Sequence, residues 1–312
     1  MVKNILITGA NSGLGKDSAR QFALLNDTEK IYIGARSHAK AEAAITELEQ
    51  VTGKSIFEAA IIDTTDLDGV RQAVANLPEQ IDTLIMNAGG MGGTTPGALT
   101  SEGVTQIFAS NVLGHVVLVD ELLKANKLTQ SAIYVGSEAA RGVSRMGMAR
   151  PVLSTGSVDE FVSLADGSYF GEKFDGQQAY GWVKYIATLW MSSLARQYPN
   201  MRFLTVSPGG TAGTNVFSML PAPLVFILKN AVMPIMMMIG MFHSLETGAK
   251  RYVDVAIDTA TYKSGKFYAS PDPGVTGNMV DQATIMSDLD NETYQNNANE
   301  AIHNFIPQPV TA

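Results

Sequence analysis

Short apolar runs alternate with longer amphipathic segments through roughly the first two hundred residues. The runs "NILIT", "KIYIGA", "IFEAAIID" and "DTLIMNAG" read as strands. Between them, "LGKDSARQFALL", "KAEAAITELEQ" and "DLDGVRQAVANL" carry apolar residues at helical spacing. "SAIYVGS" and "RFLTVSPG" read as strands five and six, separated by a helix from Gln177 to Arg196, and "GKFYAS" reads as a seventh strand. Strands alternating with helices imply a parallel sheet covered on both faces, with its ligand site beyond the carboxyl ends of the strands. No repeat or low-complexity linker divides the chain. The pattern therefore predicts one α/β domain over residues 1–312, a Rossmann-type doubly wound parallel sheet of about seven strands with helices on both faces.

Two stretches interrupt the rhythm. Between Ser137 and Tyr180 the segment "ARGVSRMGMARPVLSTGSVDEF" has no clear period, and residues 139–176 are expected to be a substrate-side insertion or a long surface loop. Later, Met219 to Phe242 is almost wholly apolar and ends in "PIMMMIGMFH". Its prolines, with Lys229 and Asn230, argue against a membrane-spanning helix.

Composition narrows the function classes. The 312 residues are 46% apolar and 17% charged, which favours a well-buried core. A net charge of −8 without any basic run excludes nucleic acid as an expected partner. Zero cysteines exclude disulfides and thiolate metal sites, and His38, His115, His243 and His303 are too scattered for a metal cluster. A reducing cytosol fits that composition, as do other compartments. The apolar run Ile5 to Ile7 is too short for a secretory signal, so the mature chain is expected to begin at Met1.

The chemistry starts at the first turn. "ITGANSGLGKDSA" sets Gly9, Gly13 and Gly15 between strand one and helix one, where missing side chains let the backbone approach a pyrophosphate at the helix N-terminus. After strand two, "GARS" puts Arg36 where NAD sites usually carry an acid, and a guanidinium there suits a 2′-phosphate. A solvated arginine at a loop start is the plain alternative, and Lys16 reads as a solvent-facing helix residue. Asp63 either accepts from the adenine amino group or begins the turn toward Asp66 as a helix cap. Farther on, "AYGWVKY" places Tyr180 and Lys184 one helical turn apart. Lys184 is the single charge between Gln177 and Ala195, so burial of that helix requires a partner for it, unless the side chain snorkels to the surface. A nearby ammonium is also expected to lower the tyrosine pKa.

With "TGANSGLG", "NAG" at Asn87 to Gly89, "SNVLGH" around Asn111, "YVGS", "YGWVK" and "SPGG" in order, the chain resembles the short-chain dehydrogenase/reductase family from Met1 to about residue 270. "EGVTQIFASNVLGHVVLVDELL" and "SGKFYAS" look closest to the retinol-dehydrogenase and protochlorophyllide-reductase branch, although absence of Cys counts against the latter's cysteine-associated chemistry. The resemblance implies Tyr180 as proton donor, Ser137 on the substrate oxygen, Lys184 on the nicotinamide ribose and Asn111 positioning a relay water. It implies NADP(H) contacts at Gly9, Ser12, Gly13, Leu14, Gly15, Arg36, Asp63, Asn87, Gly89, Tyr180, Lys184, Pro208, Gly209 and Thr211. After Gly209 this sequence departs from the family pattern, with Thr211 for an aliphatic residue, Gly213 for the threonine and Thr214 one place late. An apolar lid over residues 214–242 is expected, with Met237 and Met241 one turn apart on one face as contacts to a small lipophilic substrate. The expected protein is a cytoplasmic oxidoreductase. Carbonyl reduction, carbon-carbon double-bond reduction and non-catalytic dinucleotide sensing with a protein partner all stay open, and peripheral membrane contact and homo-oligomerisation are compatible with each.

Overall fold

The computed structural model describes residues 2–212, 233–238 and 240–307. Strands form at the seven apolar runs: β1 Asn4–Ile7, β2 Lys30–Ala35, β3 Phe57–Ile61, β4 Ile81–Met86, β5 Leu128–Val135, β6 Arg202–Val206 and β7 Phe267–Ala269. All seven pair in parallel. An eighth strand, β8 Val280–Asp281, adds antiparallel at the β7 edge, one more than the pattern predicted. The order β3-β2-β1-β4-β5-β6-β7-β8 reverses between β1 and β4, so a crevice opens beyond their carboxyl ends.

The strands read as continuous apolar runs because both faces are covered. Successive side chains go to opposite sides. Leu6, Tyr32, Leu84, Tyr134 and Phe203 join one core, while Ile7, Ile33, Ile85, Ile133 and Leu204 join the other. The second core is closed by α1 Gly13–Ala23, α2 His38–Thr52 and a later helix, Leu245–Ile257. The first is closed by α3 Leu67–Asn76, α4 Gln106–Lys124, α5 Val158–Asp166, α6 Gly176–Gln197 and a C-terminal helix, Glu292–His303. In chain order the short helix Met233–Met238 is α7, Leu245–Ile257 is α8 and Glu292–His303 is α9.

Two helices set the site. α6 begins where the Asp175 carboxylate accepts from Gln177 N and Gln178 N at 2.8 and 3.2 Å, which caps the first turn and fixes the register of Tyr180 and Lys184. α4 is long and apolar enough to cross a membrane, but 72% of that stretch is buried inside the fold, as in a core helix. It also contains a π turn over Ala109–Leu113, a local widening that re-aims the residues it carries. Within residues 139–176 the chain forms α5, whose Phe161 and Leu164 enter the core, so this segment is more than a surface loop. Most of the expected lid, residues 213–232 and 239, lies outside the described residues, as do Gly213, Thr214 and the interruptions at Lys229 and Asn230.

His115 ties α4 across the sheet to β1. It is fully buried, its Nδ1–H donates to the Asn111 carbonyl at 3.0 Å, and its Nε2 accepts from the Thr8 hydroxyl at 2.9 Å. Burial pushes its pKa down to about 4 from the ordinary 6.5. The Asn111 carbonyl opposes that shift and the charge of Lys184 adds to it. Between these two values the unfolded chain binds a proton that the folded chain refuses. The stability present above pH 6.5 is therefore lost as the pH falls toward 4, by about 1.4 kcal/mol per pH unit and about 3 kcal/mol in all. Denaturant melts of wild type and His115→Gln across pH 4 to 7 should differ by that slope; parallel curves would show that His115 titrates normally.

Candidate active site

The glycine turn is built against the loop that follows β4. Gly9 adopts φ +65°, where a side chain is strained. A Cβ on Gly15 would lie 2.5 Å from the Gly9 carbonyl oxygen and 2.6 Å from Asn87 Nδ2, so only glycine lets α1 start this close to the turn. Asn87 Nδ2 donates to the carbonyls of Thr8 and Gly9 at 2.9 and 3.2 Å, and Ala88 N donates to Thr8 Oγ1 at 2.9 Å. Asn87 thus holds the turn's shape. Ser12 stands at the N-cap position of α1 without a side-chain cap bond, and Leu14 packs partly buried against the second core. The open amino end of α1 and its close-packed glycines suit a pyrophosphate, so the residues present fit a dinucleotide.

Arg36 follows the last residue of β2, exposed, and among the described residues it has no ion pair or hydrogen bond. Lys16, by contrast, forms an ion pair with Glu47 of α2. Asp63 spends Oδ1 on the backbone and hydroxyl of Thr65, at 3.0 and 2.7 Å, and Asp66 caps α3 by accepting from Gly69 N. Of the two readings of Asp63, the turn is the one these bonds serve.

Beyond β5 and above α6 the remaining groups converge. Asn111 sits in the π turn, and its side chain grips the loop after β4. Oδ1 accepts from Gly90 N at 3.1 Å, and Nδ2 donates to the carbonyls of Gly90 and Ile107, both at 2.8 Å. Gly89, at φ +144°, would drive a Cβ to 2.5 Å from Asn111 Oδ1. Ser137 follows β5, its hydroxyl accepts from Ala139 N at 3.2 Å, and it lies close enough to the Tyr180 phenol to pull that group's pKa down. Lys184 is 4% exposed, with Nζ 5.6 Å from the Tyr180 ring centre. It donates to Tyr134 Oη at 3.1 Å and to the Val135 carbonyl at 3.0 Å, so it does not snorkel to the surface.

The electrostatics reverse one expectation. Burial raises the Tyr180 pKa to about 12, with Ser137 pulling it down and Glu138 pushing it up, so the phenol is held above its ordinary value rather than below it. Burial likewise lowers Lys184 to about 7. The reason is directional: the ammonium points to Tyr134 and Val135, and the low-dielectric surroundings penalise both charged forms.

After β6, Pro208, Gly209 and Thr211 form a loop stitched to the segment following α7. His243 Nε2–H donates to the Pro208 carbonyl at 2.6 Å, Thr211 Oγ1 lies 3.2 Å from the same nitrogen, and Ala212 N donates to the His243 carbonyl at 2.9 Å. Behind the loop, Glu138 accepts from the Ser207 hydroxyl at 2.5 Å and from Ser270 N at 3.1 Å, while Arg251 donates to the Ser207 and Gly277 carbonyls. Glu138 and Arg251, 3.8 Å apart and both buried, were not singled out in the sequence; nothing in "KRYVDVAI" separates Arg251 from an ordinary charge on an amphipathic helix. Tyr134 and His115 were also missed as site groups. Met237 and Met241 are 37% and 42% exposed, but α7 ends at Met238 and Gly240 turns at φ +73°, so they do not share one helical face as expected.

Known proteins place this geometry. The short chain dehydrogenase family pattern matches residues 3–149. Protochlorophyllide reductase B, chloroplastic, of Oryza sativa subsp. japonica is 29% identical over 288 residues, covering 85% of this chain and 68% of that protein. Retinol dehydrogenase 12 of Bos taurus is 34% identical over 133 residues, 42% of this chain and 40% of that one. Among solved structures, salutaridine reductase from Papaver somniferum superposes with a TM-score of 0.62 at 15% identity, covering 86% of this chain and 100% of that one. Among the curated relatives, alignments span as little as 38% of the relative's length. Over residues 3–149 the chain matches the short chain dehydrogenase family, and the ordered motifs and relatives make it similar to the retinol-dehydrogenase and protochlorophyllide-reductase-like branch of short-chain dehydrogenases/reductases.

Proposed function

We propose that this oxidoreductase uses NADP(H) to reduce a lipophilic carbonyl compound or to oxidise the corresponding alcohol. The observation that carries the reading is the convergence of Ser137, just after β5, on Tyr180, whose ring lies 5.6 Å from the buried Lys184 ammonium one helical turn farther along α6. The dinucleotide, when bound, supplies or accepts the hydride. Reduction builds negative charge on the carbonyl oxygen, which then needs a proton and a second hydrogen bond. Tyr180 holds its proton throughout the neutral range, as a donor must, and Ser137 is placed to donate to the same oxygen. Once the proton has gone, Ser137 and the nearby Lys184 charge stabilise the phenolate left behind. Lys184 would also hold the nicotinamide ribose, Asn111 would keep the Gly89–Gly90 loop in shape, and Pro208, Gly209 and Thr211 would border the nicotinamide.

The choice of NADP(H) rests on Arg36, a solvent-facing guanidinium at the end of β2 without an ion-pair partner among the described residues. A second reading, reduction of a carbon-carbon double bond, is favoured by the length of the match to the rice reductase. A non-catalytic sensor would have no use for Tyr180 beside Ser137. Following cofactor oxidation with aldehydes, ketones and enones separates these readings, and inertness toward all three would count against catalysis.

Three outcomes are expected. NADPH should bind more tightly than NADH, and Arg36→Asp should reduce or reverse that preference; equal affinities in wild type, measured by cofactor titration, would remove Arg36 from the site. Tyr180→Phe should lower kcat by about 10²- to 10⁴-fold with NADPH binding nearly intact, which steady-state kinetics beside a binding titration will read. Met237→Gln combined with Met241→Gln should raise KM for long apolar substrates more than for small aldehydes, with little change in Tm because both side chains are exposed.

A further inference from the structure

Lys184 sits in a helix that is apolar on every side, and no carboxylate forms an ion pair with it among the described residues. Its one side-chain hydrogen-bond partner there is Tyr134, from the middle of the sheet. The Tyr134 ring lies under the ammonium with its centre 4.8 Å from Nζ, and its hydroxyl accepts from Nζ at 3.1 Å. That hydroxyl in turn donates to the Asn111 carbonyl at 3.1 Å, the oxygen that the π turn also presents to His115 Nδ1–H at 3.0 Å. Every bond in this series has one direction. Lys184 gives to Tyr134, Tyr134 gives to Asn111, and His115, held by Thr8, gives to Asn111 from the other side.

We propose that Tyr134 is a positioning residue for Lys184, its phenol standing between the ammonium and the Asn111 carbonyl where the sequence resemblance leads one to expect a relay water. The difference matters because the phenol is anchored to β5 and cannot exchange with solvent. It also cannot pass a proton inward, since its own acceptor is an amide carbonyl that is not a base at neutral pH. Tyr134 therefore fixes the position and proton affinity of Lys184 and takes no part in proton transfer. The titratable groups facing Lys184 are Tyr134 from β5, Tyr180 from its own helix and His115 from α4, and all three are uncharged near pH 7. Glu138 at the end of β5 acts on Tyr180 rather than on Lys184.

This inference rests on the reading of Tyr180 and Lys184 as the working pair, but its test does not. In cofactor-free protein with isotope-labelled lysine, an NMR titration of Lys184 should move down by about one pH unit in Tyr134→Phe, because the charged form loses an acceptor while the ring stays. An unchanged or raised value would overturn the proposal. In turnover, Tyr134→Phe should lower kcat by about 10- to 100-fold with KM little altered, and should shift the pH profile in step with the titration. Tyr185→Phe is the control. It removes an equally buried hydroxyl next in sequence, one with no hydrogen-bond partner among the described residues, and should leave the Lys184 titration unchanged. If Tyr134→Phe fails to fold, the wild-type protein still decides: the Tyr134 hydroxyl proton should be visible in slow exchange with contacts to the Lys184 side chain, and rapid exchange would overturn the bridge. A shifted titration in a protein inert toward every carbonyl and enone would reject the proposed reaction and leave the positioning role standing.

Discussion

One cation buried without an anion among the described residues governs the inner half of this site. An ammonium enclosed by an apolar helix is costly unless dipoles replace its water, and two oxygens of β5 do so for Lys184. Its residual cost is visible as a pKa lowered to about 7. A carboxylate partner would have stabilised the charge further and kept it charged at every physiological pH. With dipoles alone, the ammonium stays close to the phenol and poised near neutrality.

The polar groups around that cation hold one another by bonds that run from the turn after β1 to β5 and α6. Thr8 follows β1, His115 and Asn111 sit on α4, Tyr134 lies in β5 and Lys184 in α6, so four parts of the chain meet through three bridges. The same Asn111 shapes the loop after β4 with its amide, and Asn87 from that loop shapes the glycine turn. The glycine turn and the surroundings of Lys184 are consequently parts of one framework. A disturbance at Asn111 reaches both.

Much of this was legible in the chain because it is local. All seven parallel strands fall on the apolar runs, and the spacing of Tyr180 and Lys184 on a capped helix is a matter of one turn. Strand β8 was not legible, since two residues carry no period, and neither was α9, where "ETYQNNANEAIH" buries mainly Gln295, Ala298, Ala301 and Ile302 under a polar surface. Tyr134 looked like one more aromatic in a buried strand because its partners lie 50 and 23 residues away. The direction of the Tyr180 shift was misjudged for a related reason. Sequence supplies the neighbouring charge but not the depth of burial that outweighs it.

The pairing of Thr211 with His243 has a consequence for how this protein can diversify. These residues form a parallel bridge, flanked by bonds from His243 N to Gly210 O and from Ala212 N to His243 O. The two stems of the intervening stretch are thus clamped together at the rim of the crevice, independently of how many residues join them. Closing a chain whose ends are already fixed costs little more when it grows, by about 0.6 kcal/mol for each doubling of length. The segment between those stems can therefore change in length or sequence as one unit, while the sheet, the glycine turn and the buried cation are inherited unchanged.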